Sequence, residues 1–500
     1  MPTESATRAE HGTATAAAGE RFTVLVADHL SPSGLQPLAD DERFVVELGH
    51  DWEEARFRAA LETAHALVVR SSTTVDAALL DRAPGLRVIG RAGVGVDNID
   101  LDAATERGIP VLNAPSGNTV SAAELTLALI LALARKVPEA DRSVRAGEWR
   151  RSAFAGAELR GKTLGLVGAG RIGGEVARRA QAFGMLVLAH DPYLSEERAE
   201  ELGLEPASLE KLLERADVVS LHVPLTSSTR GMIGPDELAR MKASALLVNL
   251  ARGGVVDEHA LARALCDGTI AGAALDVYES EPLEEGIPLR DAPNTVLTPH
   301  LGAATAEAQE LVATEIAAAV RGALLEGDLS RALNAPAIGG ETLRRLRPIL
   351  DLGGKLGRLA CVLSSGGIDG VEIRYAGSEA DGLKPLSAAV LSGLLSVALG
   401  DEQVNFVNAL HLARERGIDV STSRLSRRKD YSEFLQVELE TGSGPLEVSG
   451  ALLGDRHPRI VRIGEYHVDV VPQGSLVVLK NRDVPGVIGR VGTLLGSHGL

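Results

Sequence analysis

The sequence predicts an α/β protein with two doubly wound parallel sheets, followed by a smaller α+β region. Short β-rich runs alternate with helical patterns from Arg21 onward, and a second such series begins at Gly161. Alternation of this kind indicates parallel strands joined by right-handed crossovers. The third observation is the run LGLVGAGRIG at residues 164–173, a glycine-rich turn between a predicted strand and a predicted helix.

Three glycines of this turn have separate roles. Gly168 permits the tight turn after the strand, Gly170 lets the backbone approach a pyrophosphate, and Gly173 lets the next helix, predicted over 174–183, pack closely on the strand. Asp191 ends the next apolar run, where a carboxylate accepts hydrogen bonds from ribose hydroxyls and repels a 2′-phosphate. A turn without a ligand is the alternative interpretation, but the combination favours NAD as cofactor over NADP.

The first series contains four predicted strands, FTVLVA, HALVV, LRVIG and PVLN. A long helix then begins at Thr119, with Ser121 and Glu124 at the spacing of a capping box. Because it is apolar on nearly every side, we expect it to be buried, against a partner subunit. The second series is KTLGLVG, MLVLAHD, DVVSLHVP, ALLVNLA, IAGAALDV and NTVLTPH.

The pattern predicts where the domains begin and end. An Ala-rich helix over 305–325 is expected to return to the first sheet, which gives a discontinuous substrate domain (21–115 and 301–333) around a nucleotide domain (116–300). An α+β domain follows over 335–472. The last unit, 474–500, is a strand, a DxPG turn and an amphipathic helix, too little to bury a core alone. We therefore expect it to be incomplete or to pair elsewhere.

Composition excludes several classes of protein. A chain of 500 residues with a net charge of −17 is expected to form two to four domains and to bind neither nucleic acid nor an anionic membrane. Its two cysteines, Cys266 and Cys361, are far apart, so no disulfide framework or metal site is expected, and a cytoplasmic location fits. Cys266 is predicted to pack inside a helix.

Neither end of the first series suggests a membrane or secretory segment. Residues 1–20 are polar, without the apolar core of a signal peptide, and are expected to be a disordered lead-in. The apolar run 125–134 is only ten residues long and ends at Arg135, so it predicts a buried helix and not a membrane span.

Three polar residues follow strands of the second series: Arg252, Glu281 and His300. In an open parallel sheet, ligands collect at the carboxyl ends of the strands. A histidine can exchange the hydroxyl proton of a 2-hydroxy acid, a carboxylate can fix its tautomer, and an arginine can bind the substrate carboxylate. Taken singly, each also fits a surface or helix-capping role. Together they predict hydride transfer.

Two further arginines, Arg70 and Arg91, end strands of the first series. Two guanidinium groups in an acidic chain suit a phosphate better than an alkyl tail. Ordinary surface salt bridges remain the alternative interpretation.

Seven stretches resemble the D-2-hydroxyacid dehydrogenase family, and within it the long-form D-3-phosphoglycerate dehydrogenases: RSSTTVD, GRAGVGVDNID, NAPSGNTVSAAE, GKTLGLVGAGRIG, NLARGGVVDE, ALDVYESEP and TPHLGAAT. The resemblance is close from Arg21 to Asn334 and weaker to Leu500. It implies that Arg252, Glu281 and His300 are the catalytic residues. It also implies that residues 474–500 are the start of an ACT domain, with NRDVPG as its ligand turn, in which Asn481 and Asp483 contact L-serine as effector.

The resemblance also implies the binding residues. The cofactor contacts would be Gly168, Gly170, Arg171, Ile172, Gly173, Asp191, Val223, Leu250, Asp276, His300, Gly302 and Ala303. The substrate contacts would be Arg70, Ser71, Arg91, Asn118 and Arg252. Gly117 departs from the family, which more often has serine there, and this predicts a looser loop.

The activity implied is the NAD-dependent oxidation of D-3-phosphoglycerate to 3-phosphohydroxypyruvate, the first step of L-serine biosynthesis, with 2-oxoglutarate as a further substrate for reduction. A homo-oligomer, dimer or tetramer, is expected. One alternative is a dehydrogenase of the glycerate, lactate or formate type, against which the two arginines and the C-terminal domains weigh. The other is an NAD-binding corepressor, whose C-terminal half would be a disordered tail and not the patterned α+β region seen here.

Overall fold

The computed structural model describes residues 21–377, 382–425, 431–454, 456–479 and 484–499. The described residues form two compact units, 21–340 and 341–499.

The first sheet of unit 21–340 is parallel, with strand order β2–β1–β3–β4–β5. Its strands are β1 (Phe22–Val26), β2 (Phe44–Leu48), β3 (Ala66–Val69), β4 (Val88–Arg91) and β5 (Val111–Asn113), and its helices are α1 (Gln36–Ala39), α2 (Glu54–Thr63), α3 (Ala77–Leu80) and α4 (Leu101–Glu106). The chain passes from β2 to β3 on the other side of β1, so the strand order reverses between β1 and β3. The sequence patterns missed β2, a half-exposed edge strand that includes Glu47.

The second sheet is also parallel, with order β12–β11–β10–β9–β6–β7–β8. Helices α5 (Thr119–Ala134) and α6 (Val137–Arg145) precede it. Its strands are β6 (Thr163–Val167), β7 (Leu186–His190), β8 (Glu205–Pro206), β9 (Val218–Leu221), β10 (Leu246–Asn249), β11 (Gly272–Leu275) and β12 (Thr295–Leu297). Its helices are α7 (Arg171–Ala182), α8 (Glu196–Glu201), α9 (Leu209–Arg215), α10 (Pro235–Arg240) and α11 (Glu258–Cys266). The order reverses between β6 and β9, the place where doubly wound sheets bind ligands.

Helix α12 (Ala306–Glu326) leaves the second sheet and packs against β4 and β5 of the first. It also packs tightly against the loop before α5. A Cβ atom on Gly117 would lie 2.7 Å from the backbone nitrogen of Val312. The expectation of a looser loop is therefore wrong, because only glycine leaves room for α12 at this position.

Two expectations about helices are corrected by the structure, and a third is met in part. Asn118 is the N-cap of α5, and Ser121 lies inside the helix, where its hydroxyl donates to the carbonyl oxygens of Asn118 and Gly302; there is no capping box. Helix α5 packs against α7, β10 and β11 of its own chain, and the expectation that a partner subunit also covers it stays a prediction. Cys266 is exposed and does not pack in the core.

Unit 341–499 contains a six-stranded mixed sheet in the order β14–β13–β15–β16–β17–β18, antiparallel except for the β13–β14 pair. Its elements are α13 (Gly340–Leu363), β13 (Ile368–Ala376), α14 (Leu383–Leu399), α15 (Ala409–Glu415), β14 (Asp419–Arg424), β15 (Glu433–Thr441), β16 (Leu446–Leu453), β17 (His457–Ile463) and β18 (Tyr466–Val470). Leu352 and Leu356 of α13 lie against β16 at Gly450. Arg374 pairs with Glu372 and Glu438 on the sheet.

The last described segment contains helix α16 (Val487–Ser497), which has no buried residue. Residues 475–479 form no strand, contrary to the prediction, because they pair with no described strand. Asn481 and Asp483 lie outside the described residues. Among the helices of the described ranges, none is long and apolar enough to cross a membrane.

Candidate active site

His300 and Glu281 meet at the carboxyl end of the second sheet. The Nδ1 atom of His300 lies 2.7 Å from Oε2 of Glu281, and the other oxygen of Glu281 accepts the Tyr278 N–H at 3.0 Å. Burial opposes ionisation of Glu281, but the hydrogen bonds from His300 and Tyr278 and the nearby charge of Arg252 outweigh it and hold the pKa of Glu281 below its ordinary value. The carboxylate is therefore ionised near neutral pH and accepts a proton of the imidazole, which leaves Nε2 available as a base.

Asp276 follows β11 directly and is 1% exposed. Its carboxylate accepts the N–H groups of Leu301 at 2.7 Å and Gly302 at 2.8 Å, and the hydroxyl of Thr298 at 2.6 Å. In sequence, His300 lies between Thr298 and Leu301, which both donate to Asp276. Its φ is 54°, a left-handed backbone conformation that is costly for a residue with a side chain. Asp276 was expected to contact the cofactor; in this structure its oxygens hold the loop that carries His300.

Arg252 follows β10 of the second sheet, and its side chain contacts Asp97, which belongs to the part of the chain that forms the first sheet. Its Nε donates to Oδ2 of Asp97 at 3.0 Å, and its Nη1 donates to the carbonyl oxygen of Ala251 at 2.6 Å. The sequence patterns did not single out Asp97, although it stands in the quoted stretch GRAGVGVDNID.

Arg91 lies close enough to both Arg70 and Arg252 for their charges to act on it. Burial, followed by the charge of Arg252 and then that of Arg70, lowers the pKa of Arg91 to about 10, which still leaves it protonated at neutral pH. Among the described residues, neither Arg70 nor Arg91 forms an ion pair with a carboxylate, although Asp97 and Asp28 are close enough to act on Arg91 electrostatically. The Nη1 of Arg70 donates to the carbonyl oxygen of His29 at 3.2 Å.

Two of the residues expected to contact the substrate carry a buried polar atom without a hydrogen-bond partner in the described part of the chain: Nε of Arg91 and Oδ1 of Asn118. Buried polar atoms are nearly always paired, so such atoms indicate where a ligand supplies the missing partners. Ser71, which follows Arg70, is exposed. The structure thus brings Arg91 and Arg252 together and leaves Asn118 with acceptor capacity.

Asp28 is a supporting residue that the sequence patterns missed. It is 5% exposed, and its oxygens accept the N–H of Arg70 at 2.5 Å, the N–H of Thr73 at 3.3 Å and the Thr73 hydroxyl at 2.7 Å. Its place two residues after β1, at the point where the strand order reverses, was the signal that could have identified it.

The glycine-rich turn has the geometry that a dinucleotide requires. Gly168 has φ of 94°, and a Cβ atom on Gly173 would lie 2.2 Å from the carbonyl oxygen of Gly168, so the helix approaches the strand as closely as predicted. Gly170 is the N-cap of α7 and would meet no heavy atom within 4 Å if it carried a Cβ. The helix N-terminus, with Arg171 exposed and Ile172 half-buried beside it, therefore faces open space suited to a pyrophosphate.

Asp191 stands at the end of β7, beside the same turn. Its oxygens accept the N–H groups of Ala169 at 2.9 Å and Tyr193 at 2.8 Å, and each oxygen keeps a second lone pair for a ribose hydroxyl. Val223 lies against Gly168, and Leu250 is 9% exposed at the end of β10. Gly302 and Ala303 follow His300 and are half-buried. These residues fit an NAD molecule laid along the carboxyl ends of β6, β7 and β10.

His222 follows β9 at the reversal point and was not singled out from the sequence. Its carbonyl oxygen would lie 2.5 Å from a Cβ on Gly168, and its Nε2 lies 2.8 Å from the hydroxyl oxygen of Ser220. Burial lowers the pKa of His222 to about 4. The imidazole is therefore neutral at physiological pH.

Comparison with known proteins places these residues in a family. The chain matches the family descriptions "D-isomer specific 2-hydroxyacid dehydrogenase, NAD binding domain" over residues 127–302 and "D-3-phosphoglycerate dehydrogenase intervening domain" over residues 345–464. It is 42% identical to the D-3-phosphoglycerate dehydrogenase of Bacillus subtilis over 95% of this chain and 90% of that protein. With the Archaeoglobus fulgidus D-3-phosphoglycerate dehydrogenase it shares 44% identity over 87% of this chain and 82% of that protein.

Solved structures show the same fold in the first unit. A D-lactate dehydrogenase from Aquifex aeolicus, crystallised with NAD and lactic acid, is 30% identical, with a TM-score of 0.54 over 62% of this chain and 97% of that one. A glyoxylate reductase from Paecilomyes thermophila is 32% identical, with a TM-score of 0.57 over 63% of this chain and 98% of that one.

The buried His222 predicts that stability depends on pH. Its folded-state pKa lies below the ordinary value of 6.5, so between about pH 6.5 and pH 4 the unfolded chain binds more protons than the folded chain. The free energy of unfolding should therefore decrease as the pH falls through this window, by up to about 3 kcal/mol from this residue. Urea unfolding of His222→Asn should show a flatter pH dependence. The exposed His259→Asn is the control, and equal slopes for the two variants would contradict the assignment.

Proposed function

Because this chain belongs to the D-3-phosphoglycerate dehydrogenase family, we propose that it oxidises D-3-phosphoglycerate to 3-phosphohydroxypyruvate with NAD, the first step of L-serine biosynthesis. The observation that carries the proposal is the 2.7 Å contact between His300 and Glu281. It lies at the carboxyl end of a nucleotide-binding sheet, with Arg252 close enough to influence Glu281.

The residues of the chain divide the reaction between them. NAD, when bound, accepts the hydride that leaves C2 of the substrate. His300 holds its Nδ1 proton toward Glu281 and takes the hydroxyl proton at Nε2, so that the C2–O bond becomes a carbonyl. The charge of Glu281 then stabilises the imidazolium that results. In the reverse direction the same proton returns from Nε2 to the oxygen.

Arg252 is proposed to bind the substrate carboxylate. Its planar guanidinium group suits two parallel hydrogen bonds to that group, and its charge polarises the C2 oxygen during reduction. Because Nε of Arg252 already donates to Asp97, the substrate carboxylate competes with Asp97 for this donor. Asp97 thus holds the arginine in place before the substrate arrives.

Arg70 and Arg91 are proposed to bind the substrate phosphate. The alternative of ordinary surface salt bridges is disfavoured, because neither arginine pairs with a carboxylate among the described residues and Arg91 is largely buried beside Arg252. A phosphate dianion would neutralise charges that now repel one another. The pair of arginines would also distinguish phosphoglycerate from glycerate or lactate.

The reduction of 2-oxoglutarate needs only the His300 and Arg252 chemistry, with a second carboxylate in place of the phosphate.

We also propose a homodimer formed through helices α5 and α6. A groove on this face is lined by Ala128, Leu131, Ala132, Arg135, Val137, Ala140, Asp141 and Val144. Val137 is 53% exposed, Val144 57% and Trp149 85%, which is unusual for large apolar side chains. A second copy related by a twofold axis fits, because it would cover the same apolar side chains on both copies at once. Regulation by L-serine stays a prediction from the resemblance, since Asn481 and Asp483 lie outside the described residues.

The test of the function is an initial-rate assay with NAD and a panel of 2-hydroxy acids. We expect D-3-phosphoglycerate to give the highest kcat/KM. His300→Asn should lower kcat by about 10²-fold or more, because it removes the general base, while the affinity for NAD changes little. His467→Asn, at an exposed histidine in the second unit, is the matched control. A chain that does not oxidise phosphoglycerate, or a His300→Asn variant with normal kcat, would contradict the proposal.

The phosphate assignment predicts a change in substrate preference. Arg91→Ala and Arg70→Ala should each raise the KM for phosphoglycerate about 10- to 100-fold, the usual effect of losing a hydrogen bond to a charged group. The kcat/KM for D-lactate should fall much less, so the measured quantity is the ratio of the two substrates. Arg82→Ala, at an exposed arginine in the same part of the chain, is the control. Equal losses on both substrates would show that the arginines only support the fold.

The proposed dimer predicts that the mass measured in solution increases with protein concentration. Val144→Asp places a charge in the proposed interface, and we expect sedimentation to show a shift from dimer to monomer, because an unpaired charge is costly to bury. Leu186→Asp, at a leucine that is 66% exposed on β7, is the matched control and should leave the dimer intact. An unchanged mass for Val144→Asp would place the interface elsewhere.

A further inference from the structure

Glu258 is a buried carboxylate that the reaction described above does not use. It begins helix α11 and is 6% exposed. Burying a carboxylate is expensive unless its oxygens accept hydrogen bonds. Its Oε1 accepts the N–H of Glu279 at 2.6 Å, and no ion pair joins it to a cation within the described part of the chain. An apolar side chain at this position would avoid the cost of desolvating a carboxylate. The hydrogen bond to the Glu279 N–H is therefore the role that the structure gives to the Glu258 carboxylate.

The contact falls in the middle of the turn formed by residues 278–281. Glu281 closes this turn by accepting the Tyr278 N–H, and its other oxygen reaches His300. The phenol of Tyr278 anchors the start of the turn through the carbonyl oxygens of Leu275, at 3.1 Å, and Thr298, at 2.9 Å. The position of the Glu281 carboxylate is thus determined by how the turn is held.

The same turn contacts the loop that carries Arg252. A Cβ atom on Gly253 would lie 1.8 Å from the carbonyl oxygen of Tyr278, so the two segments are in close backbone contact. Any movement of the turn therefore changes both the Glu281–His300 contact and the backbone next to Arg252. Glu258 is attached to this junction from the side of α11, whose N-terminus favours a negative charge.

We propose that Glu258 is a positioning residue for the proton-transfer pair: it fixes the 278–281 turn through the Glu279 N–H and places a negative charge behind Glu281. The inference rests on the proposed dehydrogenase function. In this role Glu258 acts through Glu281 and not on the reacting atoms.

Glu258 and Glu281 act on each other electrostatically, as the second part of this role requires. Burial raises the pKa of Glu258, and the carboxylates of Glu279 and Glu281 act in the same direction, while the Glu279 N–H and His259 oppose them. When Glu258 is ionised it repels the charge of Glu281, and it favours retention of the proton shared by Glu281 and His300. Removing that charge should therefore let the pair release its proton at lower pH.

The test uses the full chain with two substitutions at one position. Glu258→Ala removes both the acceptor and the charge, and kcat should fall about 10- to 100-fold, the scale of a small misplacement of catalytic groups, with KM nearly unchanged. Glu258→Gln keeps an acceptor for the Glu279 N–H, so kcat should be largely restored. Because it removes the charge, the acid limb of its kcat profile for oxidation should move to lower pH.

Glu237→Ala is the matched control. Glu237 also accepts a backbone N–H at the start of a helix, that of Gly234 at 3.1 Å, but it belongs to α10. We expect this variant to keep the kcat and the pH profile of the unmodified chain. Thermal unfolding and NAD binding are measured for all variants. These measurements distinguish a variant that no longer folds from one in which only the 278–281 turn has moved.

The outcomes separate the inference from the function on which it rests. Normal kcat in Glu258→Ala, or an unmoved acid limb in Glu258→Gln, would overturn the positioning role even if the unmodified chain is fully active. The limb shift in Glu258→Gln decides the matter if Glu258→Ala does not fold. An unmodified chain without phosphoglycerate oxidation would refute the proposed function, and the inference with it.

Discussion

The geometry of the proposed catalytic pair, His300 and Glu281, depends on the hydrogen bonds of one buried carboxylate, Asp276. A carboxylate at 1% exposure is tolerated because the Leu301 and Gly302 N–H groups and the Thr298 hydroxyl donate to it. These bonds hold the backbone on both sides of His300 and stabilise its unfavourable φ. The imidazole thus meets Glu281 in the structure, which gives the proposed reaction a proton acceptor that is already oriented.

The two sheets contribute different chemistry to one cleft. The second sheet supplies the nucleotide turn, the Glu281–His300 pair and Arg252. The first sheet supplies Arg70 and Arg91 from the ends of adjacent strands, with Asp28 supporting them from the reversal point between β1 and β3. A substrate with a carboxylate near its reactive carbon and a phosphate at its other end would thus be held by both sheets at once. Such a cleft would recognise the distance between the two anionic groups of the substrate.

Most features of the nucleotide-binding half could be predicted from the sequence, whereas few of the contacts that support the site residues could. Gly168, Gly170 and Gly173 could be assigned in advance, because each role follows from local backbone sterics at a fixed spacing. The partners of Arg252 and Arg70 could not, since Asp97 and Asp28 are brought there by strand order and not by spacing. The Ser121 hydroxyl fitted a local capping pattern, yet it bonds to Gly302, which is distant in sequence. Gly117 was misjudged for the same reason: α12, which excludes a larger side chain, is a long-range neighbour.

The Arg252–Asp97 contact joins the two halves of the cleft, and its exposure limits how firmly it can do so. The Asp97 side chain is 64% exposed and that of Arg252 26%. An ion pair this open to water stabilises by about 1 kcal/mol or less, and dissolved salt weakens it further. It can therefore orient the guanidinium without locking the entrance. An arriving anion displaces a weakly bound carboxylate, and almost none of its binding energy is lost in breaking the contact that preceded it.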